Sequence, residues 1–236
     1  MALTLEQADD MIGACDANGV LLTLGLQRRT FYRDRKYKEL FEAGEFGSPL
    51  FFRFQDMRDI RPKIAMHRRS QNNGPLVDML CHYMDLARFV TGAEPVNVRA
   101  VGSCYAEDKP PVNDVPDPAI DAAAVMVEMT GGHVLEAFLN WGMRLGFPGS
   151  GQELVVGPEI SAAPVPDGVE VQYADHSETW RDDGEGPVGA AGCVKWLVKA
   201  INGDAPLEVT GQDGRAALAV SLAALESIES GETVTL

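Results

Sequence analysis

The chain has 236 residues, 45% of them apolar, enough for one large domain or for one domain and a fragment of another. Twenty basic residues against thirty-five acidic ones leave a net charge of −15, which argues against a nucleic-acid partner, because clustered Lys and Arg carry that kind of binding. No run of about 18 apolar residues occurs, so no membrane span is expected.

The start, "MALTLEQADD", lacks the basic stretch and apolar core of a signal peptide, and a cytoplasmic location is expected. Cys15, Cys81, Cys104 and Cys193 are widely spaced and form no CxxC pair, so they are read as reduced thiols rather than as a disulfide or zinc framework. In "LTLEQADDMIGACDANG", Thr4 and Gln7 make a capping box, and Leu5, Ala8, Met11, Ile12 and Cys15 form one apolar stripe. Asn18-Gly19 ends this helix, and "VLLTL", residues 20–24, reads as a short buried strand. Residues 31–43 are helical, with Phe31, Tyr37, Leu40 and Phe41 as the apolar side. "GEFGSP" is a turn, and the alternation in "LFFRFQDM" predicts a strand. Residues 58–73 form a basic loop, and a helix follows from Gly74 to Thr91.

Beyond Gly92 the texture changes to strand-like runs separated by Gly, Pro and Asp, with Gly131-Gly132 as a hairpin signal. Two helices close the chain, the second capped by Thr210, and "TVTL" is a candidate terminal strand. Strands followed by helices predict an α+β fold: a large, mainly antiparallel open sheet with helices on one face.

The helix at 74–91 contains the unusual chemistry. Positions i, i+4 and i+7 share a helix face, so Asp78, His82 and Asp85 point roughly the same way from an otherwise apolar helix. A carboxylate beside an imidazole can serve as an acid–base pair, can donate two ligands to a divalent metal, or can simply satisfy itself as a buried polar cluster. Asp85 is read as structural support, pairing with Arg88 or a neighbouring loop.

"NNGPLVDMLCHYMDLARFVTG" resembles the corresponding helix of the Gfo/Idh/MocA family, the glucose–fructose oxidoreductase and inositol dehydrogenase type, at Gly74, Asp78, His82, Asp85 and Gly92. The likeness extends through "ALTLEQADDMIGACDANGVLLTLGLQRR", "YKELFEAGEFGSPLFFRF" and the last two helices. It implies a two-domain enzyme in which a Rossmann domain holds NAD or NADP and a second domain binds a sugar, polyol or related hydroxyl compound. Oxidation then proceeds by hydride transfer to the nicotinamide. His82 would be the acid/base, Asp78 would orient it or bind a substrate hydroxyl, and the lysine of a Glu-Lys-Pro motif would be the third member.

This sequence contains no Glu-Lys-Pro and no GxGxxG between a strand and a helix. "GSGQELVVG", residues 149–157, is discounted to a turn. Met1 stands about where the residue after Lys-Pro would stand. Residues 1–24 are therefore expected to be a helix–strand remnant of the dinucleotide-binding domain, and 25–236 the substrate-binding and oligomerisation domain. Such a chain is not expected to bind the nicotinamide or to transfer hydride alone. The alternatives are a stand-alone sugar-binding or assembly domain, and a metal-assisted lyase or isomerase using Asp78 and His82. A homo-oligomer built through the open sheet is expected.

Further candidates follow from position. Arg28 or Arg29, after the presumed strand, could bind a substrate hydroxyl or phosphate, or form salt bridges with Asp or Glu. The basic loop carrying Arg58, Arg61, Lys63, His67, Arg68 and Arg69 could cover the substrate site and suit acidic or phosphorylated sugars, or be a solvated loop. Trp141 could stack on a sugar ring or lie in the core.

Overall fold

The computed structural model describes residues 2–182, 184 and 186–236; Met1, which opens the expected N-terminal remnant, lies outside them. Among the described residues, nine strands form one mixed sheet. They are β1 (Phe51–Asp59), β2 (Pro95–Ser103), β3 (Ala122–Met129), β4 (Val134–Met143), β5 (Ser150–Val156), β6 (Ser161–Val165), β7 (Gly168–Gln172), β8 (Ser177–Arg181) and β9 (Val234–Thr235). Their order across the sheet is β8-β7-β6-β5-β1-β4-β3-β2-β9. The β1–β4 pair is parallel and every other pairing is antiparallel. The α+β architecture read from the sequence is therefore the one observed.

Alternation decides which face is dry. Phe52 and Phe54 of β1 point inward with Val125 and Val127 of β3 and Leu135, Ala137 and Leu139 of β4, and all are buried. Phe51, Val101, Met126 and Phe138 leave the opposite face exposed. Burying one such large side chain contributes about 1.5–3 kcal/mol. The expected Gly-Gly hairpin joins β3 to β4, with Gly131 and Gly132 both at positive φ and Glu128 opposite Val134.

Helices α1 (Leu5–Ala17), α2 (Tyr32–Glu42), α3 (Gly74–Asp78), α4 (Leu80–Thr91), α5 (Ala190–Asn202) and α6 (Gly211–Ser230) complete the chain. The α4 residues Met84, Leu86 and Ala87 and the α6 residues Val220 and Ala224 join the buried layer under the sheet. Helix α6 starts with a full capping box, Thr210 with Asp213. At α1, Thr4 Oγ1 accepts from the Gln7 N–H, while the Gln7 amide oxygen accepts from Leu3 N–H.

Three expectations are corrected. "VLLTL" is not a strand: no strand among the described residues pairs with residues 20–24, and Val20 and Leu21 are exposed. An apolar run states a preference for burial, but a strand also needs a hydrogen-bonding neighbour. Second, "GSGQELVVG" is mostly strand, since Ser150–Val156 is β5 against β1. Third, the helix predicted at 74–91 is two helices. Met79 breaks it at φ −112°, and the His82 N–H donates to the Met79 carbonyl three residues back.

Candidate active site

A cleft of about 410 Å³ lies between α3–α4 and the extended segment that follows α1. Asp78 and His82 line it, with Asn72 and Gln71 on one side and Thr23 and Gly25 on another. This volume falls within the usual range for small-molecule sites.

The backbone that presents these groups is tightly specified. Gly74 opens α3 at φ +71°, and a Cβ there would lie 2.6 Å from the carbonyl oxygen of Ile120. Asn73 before it is left-handed too, at φ 63°, a conformation that Asn tolerates better than most residues. Pro75, with its fixed φ and absent N–H, then suits the first turn.

Asp78 Oδ1 accepts a hydrogen bond from Asn72 Nδ2 at 3.0 Å. His82 Nδ1 is buried without a hydrogen-bond partner among the described residues, and so is Asn72 Oδ1. Burial lowers the His82 pKa below its ordinary value; the Asp78 carboxylate opposes that shift and the Arg28 guanidinium adds to it. At neutral pH the imidazole is therefore uncharged and able to take a proton. Cys81 lines the same cleft, but burial, with Asp78 and Asp85 nearby, pushes its thiol up to about 12, so it stays protonated.

Asp85 does not face this cleft. Its fully buried carboxylate receives Arg29 through Nε and Nη2. Arg29 also reaches the Glu208 carbonyl at 2.7 Å and Asp213 at 2.9 Å. Arg88, the partner first considered for Asp85, binds Glu94 and Asp213 instead.

The two arginines after residue 26 are structural in this geometry. Arg28 is buried, donating to both oxygens of Asp34 at 3.0 and 2.9 Å and to Glu153 at 2.6 Å. Its guanidinium lies 5.3 Å from the Phe54 ring centre and 5.4 Å from that of Tyr83. Burial disfavours its charge, yet Asp34 and Glu153 hold its pKa above the ordinary arginine value. Instead of facing a substrate, Arg28 pairs with Asp34, six residues on, and with Glu153, and Arg29 pairs with Asp85 and Asp213. Trp141 is corrected as well: it is 1% exposed, and its indole N–H donates to Asp56 Oδ2 at 2.8 Å, so no sugar face can reach it. Arg58 binds the other Asp56 oxygen at 2.7 Å and lies over the Trp141 ring.

Sequence reading missed Asn72, Gln71 and Thr23. Asn72 sits in "QNNG", a stretch legible only as a turn, and its hydrogen bond to Asp78 is made by tertiary folding. Among the described residues, no three His, Cys, Asp or Glu side chains cluster as metal ligands. Nor is any helix among them long and apolar enough to cross a membrane.

Comparison with known proteins gives the same outline. The family profile described as the GFO/IDH/MocA C-terminal domain matches residues 35–157. UDP-N-acetylglucosamine 3-dehydrogenase of Acidithiobacillus ferrooxidans is 33% identical over 107 residues, 45% of this chain and 31% of that protein. Myo-inositol 2-dehydrogenase of Thermotoga maritima is 26% identical over the whole chain, which spans 70% of its length. The crystal structure of the WlbA dehydrogenase from Bordetella pertussis, in complex with NADH and UDP-GlcNAcA, superposes with a TM-score of 0.77 at 19% identity, covering 100% of this chain and 70% of that one.

Proposed function

This chain belongs to the Gfo/Idh/MocA oxidoreductase family, and from that premise we propose that it is the substrate-binding part of an NAD(P)-dependent enzyme acting on a sugar, polyol or related hydroxyl compound. The observation that carries the reading is the cleft itself, in which a neutral His82 with an unpartnered buried Nδ1 stands beside an Asp78 fixed by Asn72. The dehydrogenases similar to this chain, one of them crystallised with NADH, support the reaction class.

In this reading His82 accepts the hydroxyl proton as the carbon is oxidised. Asp78 accepts a hydrogen bond from a substrate hydroxyl or from the imidazole, because one of its oxygens is already occupied by the Asn72 amide. The nicotinamide, when bound, supplies the hydride acceptor. Among the described residues no glycine-rich turn leads from a strand into a helix, so the reading gives this chain's residues no part in holding that group. The reading assigns the cofactor cradle to the part of the relatives that this chain leaves unmatched. It treats residues 1–24 as the edge of that domain and 25–236 as the substrate and oligomerisation domain. A cytoplasmic homo-oligomer through the exposed sheet face completes the proposal.

The test uses the protein as it stands. Four histidines give a sparse ring spectrum in ¹H–¹³C NMR. Glucose, myo-inositol, gluconate and glucose 6-phosphate are titrated in turn. At least one should move the His82 ring signals saturably and leave His176 still. No movement of His82 with any of the four overturns the reading.

A further inference from the structure

Asp78 and His82 line one cleft, yet they do not form the pair that their spacing suggests. Among the described residues no hydrogen bond joins them. Asp78 is the last residue of α3 and His82 lies in α4, and the break at Met79 takes the two off the common face of a continuous helix. A carboxylate that orients a general base accepts a hydrogen bond from the ring nitrogen opposite the reacting one. The buried nitrogen of His82, Nδ1, has no such acceptor.

The carboxylate is held by Asn72 instead, whose Nδ2 donates to Asp78 Oδ1 at 3.0 Å. Chemistry fixes the direction of that amide: turned over, it would set its oxygen against a carboxylate oxygen. As it stands, Asn72 Oδ1 is buried without a partner, a cost that comes with placing the donor on Asp78. The turn beneath the amide is pinned. The Arg68 carbonyl accepts from the N–H groups of Gln71, Asn72 and Asn73 at 3.3, 3.1 and 2.9 Å. Beside it, Arg69 N–H donates to the Asp117 carbonyl and Ser70 N–H to Asp117 Oδ2, both at 2.9 Å. Asn73 and Gly74, both at positive φ, then turn the chain into α3, so that Asn72 and the carboxylate it holds share one corner.

We propose that Asn72 is a positioning residue: its amide keeps the Asp78 carboxylate off the imidazole, which leaves one carboxylate oxygen to accept from a substrate hydroxyl and leaves His82 to act as a base on its own. This rests on the reading of the cleft as a polyol site, and it decides between the two roles open to Asp78 there. A carboxylate closed onto an imidazole favours the charged ring, and a charged ring takes no proton. Held on Asn72, Asp78 opposes the effect of burial without a bond to the ring, and His82 stays uncharged at neutral pH. Arg28, the other charged group that acts on this ring, is itself engaged by Asp34 and Glu153.

The first readout needs no ligand. The His82 ring signals are followed by ¹H–¹³C NMR between pH 5 and pH 8 in the parent, Asn72→Leu, Asp78→Asn and the double variant. Leucine nearly keeps the size of asparagine and cannot donate, so the freed carboxylate should turn to the ring and raise the His82 midpoint by about one unit or more. The rise should be absent when Asn72→Leu is made in the Asp78→Asn background. No rise in Asn72→Leu, or a rise that does not need Asp78, overturns the proposal, because a residue that only supports the turn changes stability and leaves the midpoint alone. Should Asn72→Leu not fold, Asn72→Ser, whose hydroxyl is too short to reach Asp78, gives the same reading. The second readout is binding of whichever of glucose, myo-inositol, gluconate and glucose 6-phosphate the parent binds most tightly. Asp78→Asn and Asn72→Leu should each weaken it about fivefold or more. Unchanged binding in Asp78→Asn overturns the anchoring role and leaves the polyol reading standing. If none of the four moves His82 in the parent, the polyol reading falls and the anchoring role with it, whatever the midpoints show.

Discussion

Arg29 grips Asp85 through Nε and Nη2, and the carboxylate it grips has no contact with solvent. The pair fastens α4, one turn beyond His82, to the short turn Gln27–Thr30. A charge buried this deeply is tolerable only while its partner stays.

Replacing Asp85 with Asn should destabilise the fold by about 1–3 kcal/mol, because Arg29 loses its bidentate carboxylate and keeps only Asp213 and the Glu208 carbonyl. Urea unfolding measures this. The double variant Arg29→Met/Asp85→Leu should recover most of the loss, and a single variant within about 0.5 kcal/mol of the parent would contradict the assignment.

Gly74→Ala should cost about 1–3 kcal/mol, through a left-handed backbone and a Cβ pressed against the Ile120 carbonyl. The damage should be local to the cleft as well. His82 ring signals are expected to shift while those of His133, on the far hairpin, stay put.

Thr210→Ala removes the side-chain acceptor for the Asp213 N–H at the start of α6. A loss near 1 kcal/mol is expected in thermal or urea unfolding. Asp213→Ala should cost more, since that carboxylate also meets Arg29 and Arg88.

Acid should loosen the protein early. Burial lowers the pKa of His67, with Arg61 adding to the effect, and burial likewise lowers that of His133. Each ring nitrogen accepts a backbone N–H: His67 Nε2 from Arg61, and His133 Nδ1 from Leu50. The unfolded chain takes up protons first as pH falls through about 6.5, so stability is whole above that value and declines below it, toward the lower folded pKa values. Melting temperatures from pH 8 to pH 5 should fall, and His133→Gln should flatten the slope. A flat profile in the parent would contradict this.

Cys81 should resist alkylation by iodoacetamide at pH 8 although it borders the cleft, because its pKa near 12 leaves almost no thiolate. Peptide mass mapping after labelling checks this. Modification of Cys81 in the folded protein would show that the cleft opens more than its geometry implies.

Much of the architecture is legible in local chemistry. Thr4 and Thr210 mark helix starts, Gly131-Gly132 marks a hairpin, and the alternation around Phe52 and Phe54 marks a strand with one dry face. What is not legible is pairing at a distance. Nothing near Arg28 announces Glu153, and nothing near Trp141 announces Asp56. "VLLTL" shows the same limit, because its composition specifies burial but cannot supply a neighbouring strand. The Asp78–His82 spacing could be read, but Met79 breaks the helix between them, and the residue that fixes Asp78 comes from a turn of undistinguished polar residues.

The parallel pairing of β1 with β4 sets the order in which the site can come into being. Partners such as Phe51 and Val134 are far apart in the chain, and the cleft wall that carries Asn72, Asp78 and His82 lies between them, on the loop after β1 and on α3 and α4. Antiparallel neighbours can zip from a turn, but this seam has no turn to start from and must wait for a long loop to close. The meander β2-β3-β4 can form early, while the cleft matures only when β1 docks beside it. Refolding should therefore give a sheet before it gives a binding site, with ligand recognition appearing in the last kinetic phase.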